Sequence, residues 1–326
     1  MLTDDLWRGL PYFPISQYYQ SKFGTKVHKI PVSVAETCPN REGLRGMKTC
    51  NFCDAWGSAA YPDVREQDLK DQILNNKMRV QSRAKASKFL VYFQAYTNTF
   101  SKTERLRQQF SVASEFEDVV GFVVGTRPDC LSDNVFDLWN EYGEKKYLAV
   151  ELGVQTFDED QLIWMRRGHT AKKSMQAIER IARKCPRLSL GIHLMFGLKS
   201  ETDEQIVETA KLVSTLPIDN VKLHNLHVLK DTPLEEEFLR GEFWPISRED
   251  YARRVVLFLE NLRPDIAVHR LAALASRHDE LVAPAWAKMK MENYQFILDE
   301  FSRRATFQGS QCISVAEFSE IAAPLV

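Results

Sequence analysis

Six apolar runs of strand length alternate with helix-length segments along this chain, and that alternation limits the fold more than any other feature. Residues 27–34, 89–93, 119–124, 147–155, 188–196 and 221–229 read as strands. The run Phe89-Leu90-Val91-Tyr92-Phe93 is apolar without interruption, as in a strand covered on both faces. Between the strands the spacing predicts helices at 67–85, 102–114, 133–142, 171–184, 202–216 and 248–262. In the first of these, Leu69, Ile73, Leu74 and Met78 form one stripe. Strands separated by helices imply parallel βαβ units with right-handed crossovers. Six such units predict an α/β fold, an open (β/α)6 partial barrel over residues 27–265. An aromatic-rich cap (1–26) precedes it, and an extension (266–326), helical over 286–304, follows.

The loop leaving the first strand carries the most distinctive chemistry. Residues 37–54, TCPNREGLRGMKTCNFCD, place Cys38, Cys50 and Cys53 in a C-x11-C-x2-C array. Its Pro, Asn and Gly residues rule out a regular helix or strand. Thiolates are soft donors that select iron–sulfur clusters or zinc. A closed structural zinc site takes four protein ligands, so three cysteines suit a cluster that keeps one iron open for chemistry. A redox C-x-x-C pair and a zinc loop completed by His28 are the competing readings. Cys130, Cys185 and Cys312 lie far apart and make no second signature. Cys185 reads as structural, whereas Cys130, following Arg127-Pro128-Asp129 at a strand exit, is a candidate pocket thiol.

In parallel α/β folds, ligands gather at the carboxyl ends of the strands. Polar residues concentrate there in this chain, at 94–99 and 125–129. Because side chains alternate along a strand, Glu151, Gly153 and Gln155 share one face, as do Gly191, His193 and Met195. If those faces point inward, Glu151, Gln155 and His193 meet over the cysteine loop. A charge inside an apolar strand requires a partner. For Glu151 that is either a functional role or an internal salt bridge to Arg127 or Lys222.

These motifs resemble the radical S-adenosylmethionine (SAM) superfamily, in the YhcC/YtqA-type branch related to the radical SAM domain of the Elongator catalytic subunit. Cys38-Pro39-Asn40-Arg41-Glu42-Gly43 ahead of Cys50-Asn51-Phe52-Cys53 is similar to that branch's CPNRDG-like run and C-x-[FY]-C pair. Glu151-Leu152-Gly153-Val154-Gln155, Arg166-Arg167-Gly168-His169, the segment 191–201 and Lys222-Leu223-His224 resemble its later motifs. The resemblance implies a [4Fe-4S] cluster on Cys38, Cys50 and Cys53 whose fourth iron binds SAM. Reduction then releases a 5′-deoxyadenosyl radical that abstracts a substrate hydrogen. It implies catalytic roles for the three cysteines and Glu151. It also implies SAM contacts from Phe52, Thr97, Asn98, Arg127, Glu151, Gln155, His193 and Met195. The usual Gly-Gly-Glu is absent at 94–98, and Arg270-Leu271 leads into AALASRHDE where a TGD-type run is common.

The resemblance further implies a reducing electron donor such as flavodoxin or ferredoxin, and a tRNA substrate modified at a wobble uridine side chain. The alternatives are a small metabolite or tetrapyrrole as substrate and, from another class, a non-catalytic zinc or RNA-binding module. A net charge of −1 gives no overall basic footprint for nucleic acid. Local basic stretches remain as candidate phosphate contacts: Lys77, Arg79, Arg83, Lys85 and Lys88 on one helix, Arg166-Arg167, and Arg303-Arg304. No apolar run is long enough to span a bilayer, and no secretory signal is recognisable at the N-terminus. With six cysteines of which three would bind iron, a reducing compartment, the cytoplasm, is expected.

Overall fold

The computed structural model describes residues 6–57, 66–82, 84, 86–275 and 277–312. Helix α1 (Ile15–Phe23) precedes β1 (Val27–Val32), and α2 (Leu69–Gln81) leads into β2 (Lys88–Phe93). Then come α3 (Thr103–Ser114), β3 (Val119–Thr126), α4 (Asp133–Gly143) and β4 (Tyr147–Gln155). Two helices, α5 (Glu159–Trp164) and α6 (Ala171–Lys184), precede β5 (Ser189–Phe196), and α7 (Asp203–Thr215) precedes β6 (Asn220–Asn225). The remainder is β7 (Val228–Leu229), α8 (Pro233–Leu239), α9 (Arg248–Glu260), β8 (Ala267–Val268), β9 (Leu281–Ala283) and α10 (Lys290–Arg304). Helices α2, α6 and α7 start on an Asp or Thr whose side chain accepts the N–H three residues on.

Seven strands form one parallel sheet in the order β1-β2-β3-β4-β5-β6-β8, so the six expected βα units are present and a short seventh strand lies at the margin. Alternation assigns every strand two faces. Phe89, Val91 and Phe93, Leu148, Val150 and Leu152, and Leu190, Ile192 and Leu194 face the helices and join one continuous apolar core. The other parity, Tyr92, Glu151, His193 and Lys222, lines the inside of the half-barrel. Below it, α1 places Tyr19 and Phe23 against Val27, Leu90 and Tyr147 and plugs the amino ends of the strands. Among the described residues no helix is long and apolar enough to cross a membrane.

Two elements depart from their sequence patterns. The run 221–229 is not one strand: β6 ends at Asn225, and β7 leaves the barrel to pair antiparallel with β9. Asn225 marks the break, its buried Oδ1 accepting from the Ala273 N–H at 2.7 Å. Helix α2 does not turn its apolar stripe inward. Ile73 is buried, but Leu74 and Met78 are 41% and 60% exposed, and the residues buried beside Ile73 are Gln72 and Asn76.

The sheet's margin explains this reversal. Among the described residues β1 is an edge strand, with no strand beside its outer backbone groups. The Gln72 amide accepts from Ser33 N–H (2.8 Å) and donates to Ser33 C=O (3.3 Å), while Asn76 Nδ2 donates to Pro31 C=O (2.6 Å). Pro31 itself has no N–H to satisfy, as suits an edge. Replacing Gln72 by Leu keeps comparable volume and strands both Ser33 groups, which costs about 1–3 kcal/mol per buried unsatisfied group. Urea unfolding of Gln72→Leu should therefore show a lower midpoint at an unchanged slope; wild-type stability would contradict this account of the edge.

Candidate active site

The carboxyl ends of the strands open into one cavity of about 460 Å³. The loop after β1 forms one wall and places Cys38, Cys50 and Cys53, all unpaired thiols, in its lining. The loop is irregular, as its Pro and Gly content requires, apart from a short 3-10 turn at Leu44–Gly46. Asn40 fixes it. Its Nδ2 donates to the carbonyls of Lys48 and Arg166, both at 2.6 Å, and its Oδ1 accepts from Arg127 Nη1. Asn51, between the paired cysteines, donates its N–H to Met165 C=O at 3.2 Å and accepts at its carbonyl from Leu234 N–H at 2.9 Å. The loop is thus tied to the connections after β4 and β6.

Two guanidinium groups face the sulfurs. Arg167 Nη1 lies 3.4 Å from Cys50 Sγ, and Arg41 Nη2 lies 3.6 Å from Cys53 Sγ. Burial, then the neighbouring Cys50, pushes the Cys53 thiol up to about 12, and Arg41 works against them. A soft cation that displaces the proton would be favoured by the same guanidinium charges. The donor set therefore fits a cluster held by three thiolates. It does not fit the zinc loop: His28 lies at the amino end of β1, in the register pair with Phe89, remote from the loop at its other end. Among the described residues no three His, Cys, Asp or Glu side chains are gathered to hold a single metal ion.

The floor of the cavity is a charged network around Glu151. Its carboxylate, buried inside β4, accepts from Lys29 Nζ, from Tyr92 Oη at 2.8 Å, from His193 Nε2 at 2.5 Å and from Lys222 Nζ at 3.1 Å. His269 closes the ring, with Nδ1 3.1 Å from Lys29 Nζ and Nε2 2.6 Å from Asn220 Oδ1. Burial opposes the charge on Glu151, yet Lys222 and Lys29 hold it well below the ordinary carboxylate range. Burial also dominates at His193, brought down to about 4, and at Lys222, brought down to about 7 with Glu151 partly compensating. Of the two structural partners considered for Glu151, Lys222 is present, while Arg127 pairs with Asp129 at 2.8 Å.

The other sequence candidates divide. Phe52, Thr97, Gln155, His193 and Met195 line the cavity with the cysteines. Gln155 does so from a bulge at the end of β4, in a left-handed conformation (φ +74°) that is costly for any residue but glycine. Arg127 also reaches the cavity, but its guanidinium is committed to Asp129, Asn40 and Arg167 C=O. Asn98 sits behind the wall, its Nδ2 tying the carbonyls of Phe93, Ala95 and Gly125, and is not part of the lining. Cys130 is likewise outside the lining, 3.8 Å from Asp129 Oδ1. The sequence reading did not single out Lys29 or Arg270 as site residues, and it took Arg167 as a candidate phosphate contact, whereas that side chain is buried against Cys50. Lys29 was detectable as a charge at an inward position of β1. The space above Gly153, where a Cβ would come within 3.2 Å of Arg167 Nη2, lets that side chain lie on β4.

The basic stretches fare differently from expectation. Lys88 is in β2 rather than on α2, and Arg83 and Lys85 lie outside the described residues. Lys77 is held by Asp118 at 2.6 Å, and Arg303 and Arg304 by Glu300 and Glu260 at 2.7 and 2.8 Å. Arg166 remains exposed at the loop, beside exposed Lys48, the two backbones joined through Asn40.

Lys222 gives the site a pH signature. In the unfolded chain a lysine keeps its proton to about 10.5, whereas in the fold Lys222 loses it near 7. Between those values the unfolded state binds more protons, so stability rises with pH. From pH 7 to 8.5, below the range where thiols and phenols interfere, wild type should gain about 1–2 kcal/mol relative to Lys222→Met. Parallel urea titrations of both proteins measure it, and equal slopes against pH would refute the assignment.

Comparison with known proteins adds the following. Residues 32–213 match the family model of the radical SAM superfamily, and 218–303 that of a radical SAM C-terminal domain. Protein YtqA of Bacillus subtilis (strain 168) is 34% identical over 91% of this chain and 92% of its own length. A tRNA uridine(34) acetyltransferase of Methanocaldococcus infernus is 30% identical over 44% of this chain and 27% of its own. The structure of the archaeal Methanocaldococcus infernus Elp3, with its N-terminus deleted, superposes with a TM-score of 0.67. It is 18% identical and covers 86% of this chain and 64% of that one, a likeness of fold.

Proposed function

This chain belongs to the radical SAM superfamily, and we propose that it holds a [4Fe-4S] cluster on Cys38, Cys50 and Cys53 and modifies a tRNA base, at a wobble uridine side chain. The observation that carries the proposal is the presence of three thiols from one loop in the lining of the cavity where the polar strand ends converge. When bound, the cluster and SAM would supply a 5′-deoxyadenosyl radical. The protein's own contribution lies in binding and orientation. Arg41 and Arg167 offset thiolate charge at two of the sulfurs. Arg127 holds Asn40 and the Arg167 carbonyl, so the loop and the wall opposite keep one geometry. Phe52 and Met195 offer apolar surface to the adenosyl group, with Thr97, Gln155 and His193 as polar contacts. Glu151 acts through Lys29, Lys222 and His193, whose positions it fixes.

The tRNA assignment is supported by the relative named for uridine 34 and by the exposed pair Lys48 and Arg166 at the rim. Phosphate contacts from that pair would let an extruded base enter the barrel. A small-molecule substrate is favoured by one observation: Lys77, Arg303 and Arg304, basic groups otherwise suited to phosphate, are taken up by carboxylates.

Anaerobic reconstitution with iron and sulfide, then dithionite and SAM, tests the chemistry. Wild type should form 5′-deoxyadenosine and Cys50→Ala should not; a wild type that takes up no cluster and leaves SAM intact would sink the proposal. For the substrate, bulk tRNA should bind in a salt-dependent manner. Lys48→Ala and Arg166→Ala should each lower the slope of log K against log salt by about 0.7–0.9. Binding indifferent to both substitutions and to salt would favour the small-molecule reading.

A further inference from the structure

Resting on the radical SAM reading, we propose that the substrate carries an oxyanion, a carboxylate or a phosphate, that enters the half-barrel and pairs with the guanidinium of Arg270. Arg270 leaves the sheet just after β8 and lies along β6. Its Nε donates to Leu223 C=O at 3.1 Å, and its own carbonyl accepts from Leu223 N–H at 3.3 Å. The stem and one edge of the guanidinium are thereby fixed. Nη1 and Nη2 have no acceptor among the described residues, and the side chain lines the cavity.

The other cavity arginines are differently placed. Arg127 is bidentate to Asp129, Arg167 bonds Gly153 C=O at 2.8 Å and faces Cys50, and Arg277 pairs with Asp54 and Glu280. Arg270 therefore presents a planar pair of N–H donors to the interior, the geometry that binds carboxylate or phosphate through two parallel hydrogen bonds.

The charge balance of the floor points the same way. Three basic groups, Lys29, Lys222 and Arg270, face a single carboxylate, Glu151. Glu151 is already occupied by Lys29, Lys222, Tyr92 and His193 and offers Arg270 no hydrogen bond. The four histidines nearby cannot supply negative charge. Burial of positive charge without a partner is costly, and here the protein leaves the balance to be completed from outside. Burial lowers the proton affinity of both Arg270 and Lys222, as expected of cations in surplus.

Arg270 also stands apart from the cluster loop. Its guanidinium is anchored on β6 through Leu223, whereas the cysteines are faced by Arg41 and Arg167 and their loop is held by Arg127, so the anion assigned to Arg270 is a substrate group.

The test is thermal melting of the reconstituted protein in potassium phosphate, potassium acetate or potassium chloride at constant ionic strength, for wild type, Arg270→Gln and Arg270→Lys. An anion present at ten times its Kd should raise the wild-type melting temperature by about 2 °C over chloride. The shift should vanish in Arg270→Gln and weaken in Arg270→Lys, which keeps the charge and loses the two-pronged contact. Selective stabilisation by acetate assigns a carboxylate, and by phosphate a phosphate. If Arg270→Gln does not fold, Arg270→Lys carries the comparison. Equal shifts in wild type and variant, or none in wild type, overturn the proposal. SAM cleavage by the same wild-type preparation separates the two readings: its absence sinks the radical SAM assignment, and its presence with anion-independent melting sinks the oxyanion site alone.

Discussion

One buried carboxylate governs the interior of this protein. Glu151 is placed by strand alternation on the inside of a parallel sheet, where no solvent can stabilise its charge, and it is sustained by two ammonium groups from strands on either side. The converse also holds, because Lys29 and Lys222 could not be kept inside the barrel without it. Breaking such a pair typically costs about 3–5 kcal/mol, while replacing all members by apolar residues is often neutral. Stability alone therefore does not explain why the floor is ionic. An interior that must orient polar groups toward a cavity does.

Around that floor the architecture separates two tasks. The outward parity of the strands builds the apolar core with the helices and supplies the stability. The inward parity is left to chemistry, and the carboxyl ends carry the cysteine loop. The loop has little regular structure, so its shape depends on side-chain and backbone anchors, chiefly Asn40, Asn51 and Arg127. Arg127 and the groups that Asn40 and Asn51 bond outside the loop belong to the β3, β4 and β6 connections. The three thiols are consequently positioned by the whole mouth of the barrel rather than by their own segment.

Much of this was legible from residue order. Period-two alternation put Glu151, Gln155, His193 and Met195 on the inner face, and the C-x11-C-x2-C spacing located the loop. What escaped the reading depended on partners distant in sequence. The inward face of α2 is polar because an edge strand 39 to 45 residues earlier needs Gln72 and Asn76, a demand that no helical pattern records. The apolar run over β6 and β7 looked continuous because the break comes from Ala273 bonding Asn225. Lys77 and Arg304 resembled binding groups because their carboxylate partners, Asp118 and Glu260, are identified only in three dimensions, whereas the Glu300 partner of Arg303 stands three residues earlier on the same helix. Arg270 was read only as half of an Arg-Leu pair, since what marks it is the lack of a second partner among the described residues, which residue order does not record.

Both margins of the sheet are spoken for within the chain. Amides from α2 cover β1, and on the far side Val268 in β8 donates to Phe13 C=O while pairing with Pro14. Exposed strand edges are templates for unwanted pairing, between copies or across the gap of the barrel itself. With each edge sealed by its own polypeptide, the wall can remain incomplete without polymerising or curling shut.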